Sequence, residues 1–91
     1  MHWLEIIKIR CSGNTEKNRV IDLLKELNLS NLDHKPLEIS FYNNKRLEND
    51  ISLHIRWKFD QKINNESTIG LDLVHELTEF GIVNHTVWIE C

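Results

Sequence analysis

Two stretches of the chain alternate strictly between apolar and polar residues. In "LEISFYN" every second residue from Leu37 is apolar, and "DISLHIRWKF" alternates in the same way from Ile51. Period-two patterns of this kind are typical of β-strands that have one buried face and one polar face. The polar segment "NNKRLEND" lies between the two stretches and predicts a hairpin loop. We therefore expect two neighbouring antiparallel strands.

Two other segments, "EKNRVIDLLKELNL" and "STIGLDLVHELTEF", have the apolar spacing of amphipathic helices. Their apolar residues recur every three or four positions, and polar residues fill most of the remaining positions. The repeated positions are Val20, Leu24 and Leu27 in the first segment and Ile69, Leu73 and Leu77 in the second. Polar loops, "SNLDHKP" and "DQKINNE", follow the first helix and precede the second.

Small polar residues and glycine mark the expected ends of these helices. Asn14 or Thr15 is expected to cap the first helix, and Ser67 the second. Gly81 follows the second helix at the place where a left-handed C-cap is expected.

The remaining segments, "HWLEIIKIRC" and "HTVWIE", are rich in β-branched and aromatic residues and predict the first and last strands. The order of elements is therefore β-α-β-β-α-β. This order is that of the ferredoxin-like fold, an α+β arrangement with a four-stranded antiparallel sheet and both helices on one face. Strands one and three are expected at its centre. Residues 1–91 are expected to form a single domain.

Such a fold leaves one sheet face uncovered by helices. Both phases of the first strand contain apolar residues, so either Lys8 or Glu5 belongs to the open face; we place Lys8 there. The expected open-face residues are Leu4, Ile6, Lys8, Arg10, Glu38, Ser40, Tyr42, Ser52, His54, Arg56, Lys58, Thr86, Trp88 and Glu90. Four of them are large and apolar or aromatic, which is too apolar a surface to leave in water. We therefore expect a homodimer in which this face packs against a second copy.

Composition narrows the classes of partner. The chain has 11 basic and 14 acidic residues and a net charge of −3, which argues against a nucleic-acid binder. No apolar run approaches the roughly 20 residues that span a bilayer, and the apolar N-terminal stretch is too short and too charged for a signal peptide. We expect no membrane association and a cytoplasmic location. Cys11 and Cys91 form no C-x-x-C pair and, placed at opposite ends of the predicted sheet, are expected to stay unbridged.

Candidate chemistry is concentrated on the third strand. His54 and Arg56 lie two residues apart on one face, which favours an anion or carboxylate site that Lys8 could enlarge. The alternative, which we favour, is a polar dimer interface in which Arg56 pairs with Glu38 or Glu90.

Tyr42 and Trp88 are expected to be interface anchors rather than walls that stack on a ligand. The five histidines have no metal-ligand spacing, and no nucleotide or cofactor motif is present. We therefore expect neither a metal site nor a cofactor.

Three segments, "WLEIIKIR", "DISLHIRW" and "EFGIVNHTVWIE", resemble a group of small bacterial proteins that has no assigned activity. The element order, the size and the half-apolar open face also resemble the dimeric α/β-barrel superfamily. In that superfamily two ferredoxin-like protomers stack sheet against sheet, and it includes antibiotic-biosynthesis-type and haem-degrading monooxygenases. The haem-degrading members use an asparagine, a tryptophan and a histidine. Asn84, Trp88 and His85 match these types, but His85 falls at a predicted loop–strand junction instead of on a helix.

Two classes of function follow from this pattern. The first is a non-enzymatic homodimer that binds a small ligand or a partner protein through the open face. The second is a cofactor-independent, monooxygenase-like enzyme with its site between the two sheets and His54 as the candidate base. We favour the first class because no catalytic constellation stands out.

Overall fold

The computed structural model describes residues 2–27, 35–58 and 67–91. The elements in chain order are β1 (His2–Cys11), α1 (Asn14–Lys25), β2 (Glu38–Asn43), β3 (Asp50–Lys58), α2 (Thr68–Leu77) and β4 (Gly81–Ile89). The predicted β-α-β-β-α-β order is confirmed. The last residues predicted for the first helix, most of the loop at 30–36, Phe59 and the loop at 60–66 lie outside the described residues.

The four strands form one antiparallel sheet in the order β2-β3-β1-β4, so β1 and β3 are central, as predicted. Cys11 pairs with Gly81, whereas Trp3 pairs with Ile89 at the opposite end of the sheet. Cys91 therefore lies far from Cys11, and both thiols are free. Burial raises the pKa of the Cys11 thiol, which keeps it in the unreactive neutral form.

The helices cover the face of the sheet that carries the buried phase of β1. Ile7, Ile9 and Cys11 are buried on this face, whereas Lys8 and Arg10 are exposed on the other. The predicted phase of the first strand is therefore confirmed. Apolar side chains from both helices join the same core, among them Val20, Leu24, Leu73 and Leu77.

The start of α1 differs from the prediction. Gly13 is the N-cap residue, and no side chain caps the helix; the Lys17 N–H donates to the Gly13 carbonyl at 3.0 Å. Asn14 and Thr15 already lie inside the helix, so the predicted cap was wrong. The helix begins at Asn14, so the N-cap position falls on Gly13, one residue before either polar side chain. The predicted Ser67 cap is confirmed, since its hydroxyl accepts from the Gly70 N–H at 2.9 Å.

Gly81 is the first residue of β4, so the predicted left-handed helix cap was wrong. A Cβ atom at this position would lie 2.0 Å from the carbonyl oxygen of Arg10. The glycine is therefore required by the close approach of β4 to β1. Because β4 begins this early, Asn84 and His85 lie well inside the strand, and the predicted loop–strand junction at His85 was wrong.

Within the described ranges, no helix is both long enough and apolar enough to span a membrane.

Candidate functional site on the open sheet face

The strand register arranges the open-face side chains in rows across the sheet. The central row contains Ser40, His54, Ile6 and Thr86. The row on one side contains Tyr42, Ser52, Lys8 and Asn84, and the row on the other side contains Glu38, Arg56, Leu4 and Trp88. All the candidate side chains of the strands therefore share one face, as predicted from the alternation.

His54 lies near the centre of this face and is held from two sides. Its Nε2 atom lies 2.8 Å from the Ser52 hydroxyl, and its ring forms a T-shaped contact with the Tyr42 ring at a centroid distance of 5.1 Å. Partial burial and the nearby Lys8 ammonium lower the pKa of His54. The imidazole is therefore neutral near pH 7 and able to accept a proton.

A cleft of about 790 Å³ opens beside His54 on this face. Its described polar lining includes Lys8, Ser52 and His54, and its apolar lining includes Tyr42, Leu47 and Ile82. Small-molecule sites occupy about 300–1,000 Å³ and combine apolar walls with a few polar groups, so this cleft has the size and character of a ligand site.

Arg10 and Lys8, the two cations in the described cleft lining, differ in their partners. Arg10 forms a two-pronged contact with Asp50, with nitrogen–oxygen distances of 3.0 and 3.3 Å. The hydrogen bond to Asp50 raises the pKa of Arg10, so the guanidinium stays charged. Lys8, in contrast, forms no ion pair with any residue in ranges 2–27, 35–58 and 67–91. Among the described residues of the cleft lining, its ammonium is the cation that remains for an anionic ligand.

Arg56 shares its strand face with His54 but lies in the row away from the cleft and, among the described residues, does not line it. Its guanidinium pairs with the Glu38 carboxylate of the same chain at 3.4 Å. Glu90 is also distant from the cleft, because its carboxylate accepts from the His2 N–H at 3.2 Å beyond the end of β4. The structure therefore brings His54, Lys8 and Tyr42 together in the cleft lining, and Arg56 and Glu90 lie away from the cleft.

Trp88 lies on the edge strand β4, at the opposite edge of the sheet from Tyr42. Its indole N–H donates to the Thr86 hydroxyl at 2.8 Å, and the residue is 57% exposed. Leu4 pairs with Trp88 across the strands, and Ile6 follows on the same face. We call Leu4, Ile6 and Trp88 the apolar patch; it lies next to the cleft.

The helix-covered face of the sheet contains a buried polar cluster around Glu5, which the sequence analysis did not predict. Glu5 is fully buried, and its carboxylate accepts from the Trp57 indole N–H at 2.8 Å and from the Ser67 N–H at 3.2 Å. His85 Nε2 lies 2.8 Å from the same carboxylate. A Cβ at Gly70 would lie 2.2 Å from it, so the glycine admits Glu5 beneath the first turn of α2.

One signal for this cluster was present in the sequence. Glu5 is the only charged residue in the buried phase of β1, so the choice of phase that exposes Lys8 also buries Glu5. A buried carboxylate requires hydrogen-bond donors, and its partners come from β3, β4 and the start of α2.

Within the described ranges, no group of three or more His, Cys, Asp or Glu side chains is placed to hold a metal ion.

Comparison with models of known protein families finds no match for this sequence, and comparison with curated proteins finds none either. The relationship to the dimeric α/β-barrel superfamily therefore stays a prediction.

Proposed function

We propose that this protein is a homodimer that binds a small, partly apolar carboxylate on the open face of its sheet. The observation that carries the proposal is the cleft of about 790 Å³ in which the Lys8 ammonium, which forms no ion pair with a described residue, lies beside His54 and Ser52. The proposed activity is ligand binding.

The chemistry of the cleft favours a ligand with one anionic end. Lys8 supplies a positive charge, and the hydroxyl of Ser52 and the amide of Asn84 supply hydrogen bonds on its two sides. Tyr42, Leu47 and Ile82 offer apolar surface for the rest of the molecule. A carboxylate attached to a small hydrocarbon or aromatic body satisfies both parts of the lining.

The apolar patch supports a second copy of the chain as the partner that covers this face. Trp88 is more than half exposed, and aromatic residues are favoured at the centres of protein interfaces. The charges of the face nearly cancel, so two copies can approach without strong repulsion: Lys8, Arg10, Arg56 and Lys58 stand against Glu38, Asp50 and Glu90. Stacked in this way, the second sheet would also close the cleft.

A second candidate function is the cofactor-independent, monooxygenase-like enzyme. The observation in its favour is His54, which is neutral near pH 7 and lines the cleft, where it could take a proton from a bound substrate.

Binding is tested with benzoate as the probe and neutral benzamide as its matched control. In two-dimensional amide NMR, millimolar benzoate should shift the resonances of Lys8, Ser52 and His54. Benzamide should shift them much less, because the Lys8 ammonium contributes only when the ligand carries a charge.

Lys8→Gln should abolish the benzoate shifts, whereas Lys58→Gln, an exposed lysine at the end of β3 on the same face, should preserve them. Equal shifts with benzamide, or equal losses in the two lysine variants, would contradict an anion site at Lys8. The absence of any shift with benzoate would contradict the proposed ligand class.

A further inference from the structure

Ser52 and His54 have the geometry of a nucleophile and its base. The Ser52 hydroxyl oxygen lies 2.8 Å from His54 Nε2, both side chains are partly buried, and both line the cleft. A serine hydroxyl becomes a nucleophile when a neutral histidine within hydrogen-bond reach can take its proton. His54 is held in place by the T-shaped contact with the Tyr42 ring as well as by the hydroxyl itself.

Lys8 is positioned to stabilise negative charge next to this pair. It pairs with Ser52 across β1 and β3, and Asn84 flanks it from β4. Its charge reaches His54, whose pKa it helps to lower. An ammonium in this position can stabilise the oxyanion that forms when a serine attacks a carbonyl carbon.

We propose that Ser52 and His54 form an acyl-transfer site for small esters whose acyl group fits the apolar side of the cleft. In the first step the Ser52 oxygen bonds to the ester carbonyl carbon and its proton passes to His54 Nε2. The carbon–oxygen bond to the alcohol then breaks, and the alcohol leaves with the bond's electron pair and the proton from His54. Water next attacks the acyl-serine, gives its proton to His54 and releases the carboxylic acid, and the proton returns to Ser52.

This inference rests on the cleft of the proposed function, and the acid it releases belongs to the ligand class proposed there. It assigns Ser52 as the nucleophile, His54 as the base, and Lys8 as the group that stabilises the oxyanion. Ser40 lies directly across from His54 on β2 and offers a matched serine on the same face. In the described part of the chain, the hydroxyl paired with His54 is that of Ser52.

The test uses 4-nitrophenyl acetate with the whole chain, followed by release of 4-nitrophenol and by intact-protein and peptide mass spectrometry. The expected result is an acetyl adduct on Ser52. Ser52→Ala should remove the adduct, and His54→Gln should slow its formation about 100-fold or more, the usual contribution of a general base. Ser40→Ala should acylate like the wild type.

The rate of acylation should also follow the charge state of His54. Because the pKa of His54 is lowered, the midpoint of the fall in rate on acidification should lie below the ordinary histidine value of about 6.5. A midpoint at or above the ordinary histidine value of about 6.5 would contradict the role of this side chain.

No adduct on Ser52, an adduct confined to Lys8 or Tyr42, or an unchanged rate in Ser52→Ala would overturn the proposal. The benzoate measurement distinguishes a failure of the acyl-transfer proposal from a failure of the ligand-binding proposal. If benzoate still binds beside Lys8 when Ser52 is not acylated, acyl transfer is wrong and ligand binding stands. If benzoate shifts nothing while Ser52 is acylated, the proposed binding function is wrong and the acyl-transfer site stands.

Discussion

Replacing Glu5 with alanine should lower the free energy of unfolding by about 3–5 kcal/mol, because each buried hydrogen-bonding group left without its partner costs about 1–3 kcal/mol. The substitution leaves the Trp57 indole N–H, the Ser67 N–H and His85 without their shared acceptor. It also opens a cavity beneath the first turn of α2, where Gly70 makes room for the carboxylate. Since small domains have a total stability of about 5–15 kcal/mol, urea unfolding should show a large loss.

Glu38→Ala is the matched control for this change, because Glu38 is an exposed glutamate whose partner is Arg56. Exposed ion pairs contribute at most about 1 kcal/mol, so this variant should unfold almost like the wild type. Glu5→Gln keeps the shape and one acceptor oxygen and should lie between the two. If Glu5→Ala were no more damaging than Glu38→Ala, the buried cluster would not anchor α2 to the sheet.

Gly81→Ala should destabilise the protein by about 3 kcal/mol or more, at the upper end of the range for overpacked sites. The added methyl group would lie 2.0 Å from the Arg10 carbonyl oxygen and 2.9 Å from the Cys11 Cα atom. Both are backbone atoms of the central strand β1 and cannot rotate away as a side chain can. The start of β4 must therefore separate from β1, which urea unfolding and faster amide exchange at residues 81–84 would report.

Gly13→Ala provides the comparison, because the nearest atom to its added methyl group is a Glu16 carboxylate oxygen at an ordinary 3.5 Å. Alanine is a poorer N-cap than glycine by up to about 1 kcal/mol, so only a small loss is expected. Equal losses at Gly13 and Gly81 would show that backbone contact between β1 and β4 does not explain the glycine.

The spacing of apolar residues, with the β-branched content of the end segments, was sufficient to predict the element order, and strict alternation predicted the phase of β2 and β3. Ile51, Leu53 and Ile55 are buried on β3. The period of two predicts this, because every second residue of a strand lies on the same face of the sheet. The ends of elements were predicted less well. Gly81 carries the same sequence signal for a helix cap and for a close contact between strands, and only the pairing with β1 distinguishes the two.

In the candidate site, too, local spacing predicted some of the neighbouring residues, and strand pairing determined the others. Ser52 and His54 could be placed together from the sequence, because residues two apart on a strand share a face. The position of Lys8 beside Ser52 depends on the register between β1 and β3, which no local pattern specifies. The register also places Arg56 beside Glu38 and away from the cleft. His54 and Arg56 therefore share a strand face, as predicted, but of these two described residues only His54 lines the cleft. The buried partnership of Glu5 and His85 joins residues 80 positions apart.

Sedimentation velocity of three proteins tests most directly whether the open sheet face is the dimer interface. The wild type should sediment as a dimer at micromolar concentration. Trp88→Glu, which places a charge in the apolar patch, should sediment as a monomer. Leu71→Glu is the control: Leu71 lies on α2 and is 51% exposed, close to the 57% of Trp88, and this variant should remain dimeric. A monomeric wild type, or a dimer that dissociates with Leu71→Glu and survives Trp88→Glu, would contradict the proposal.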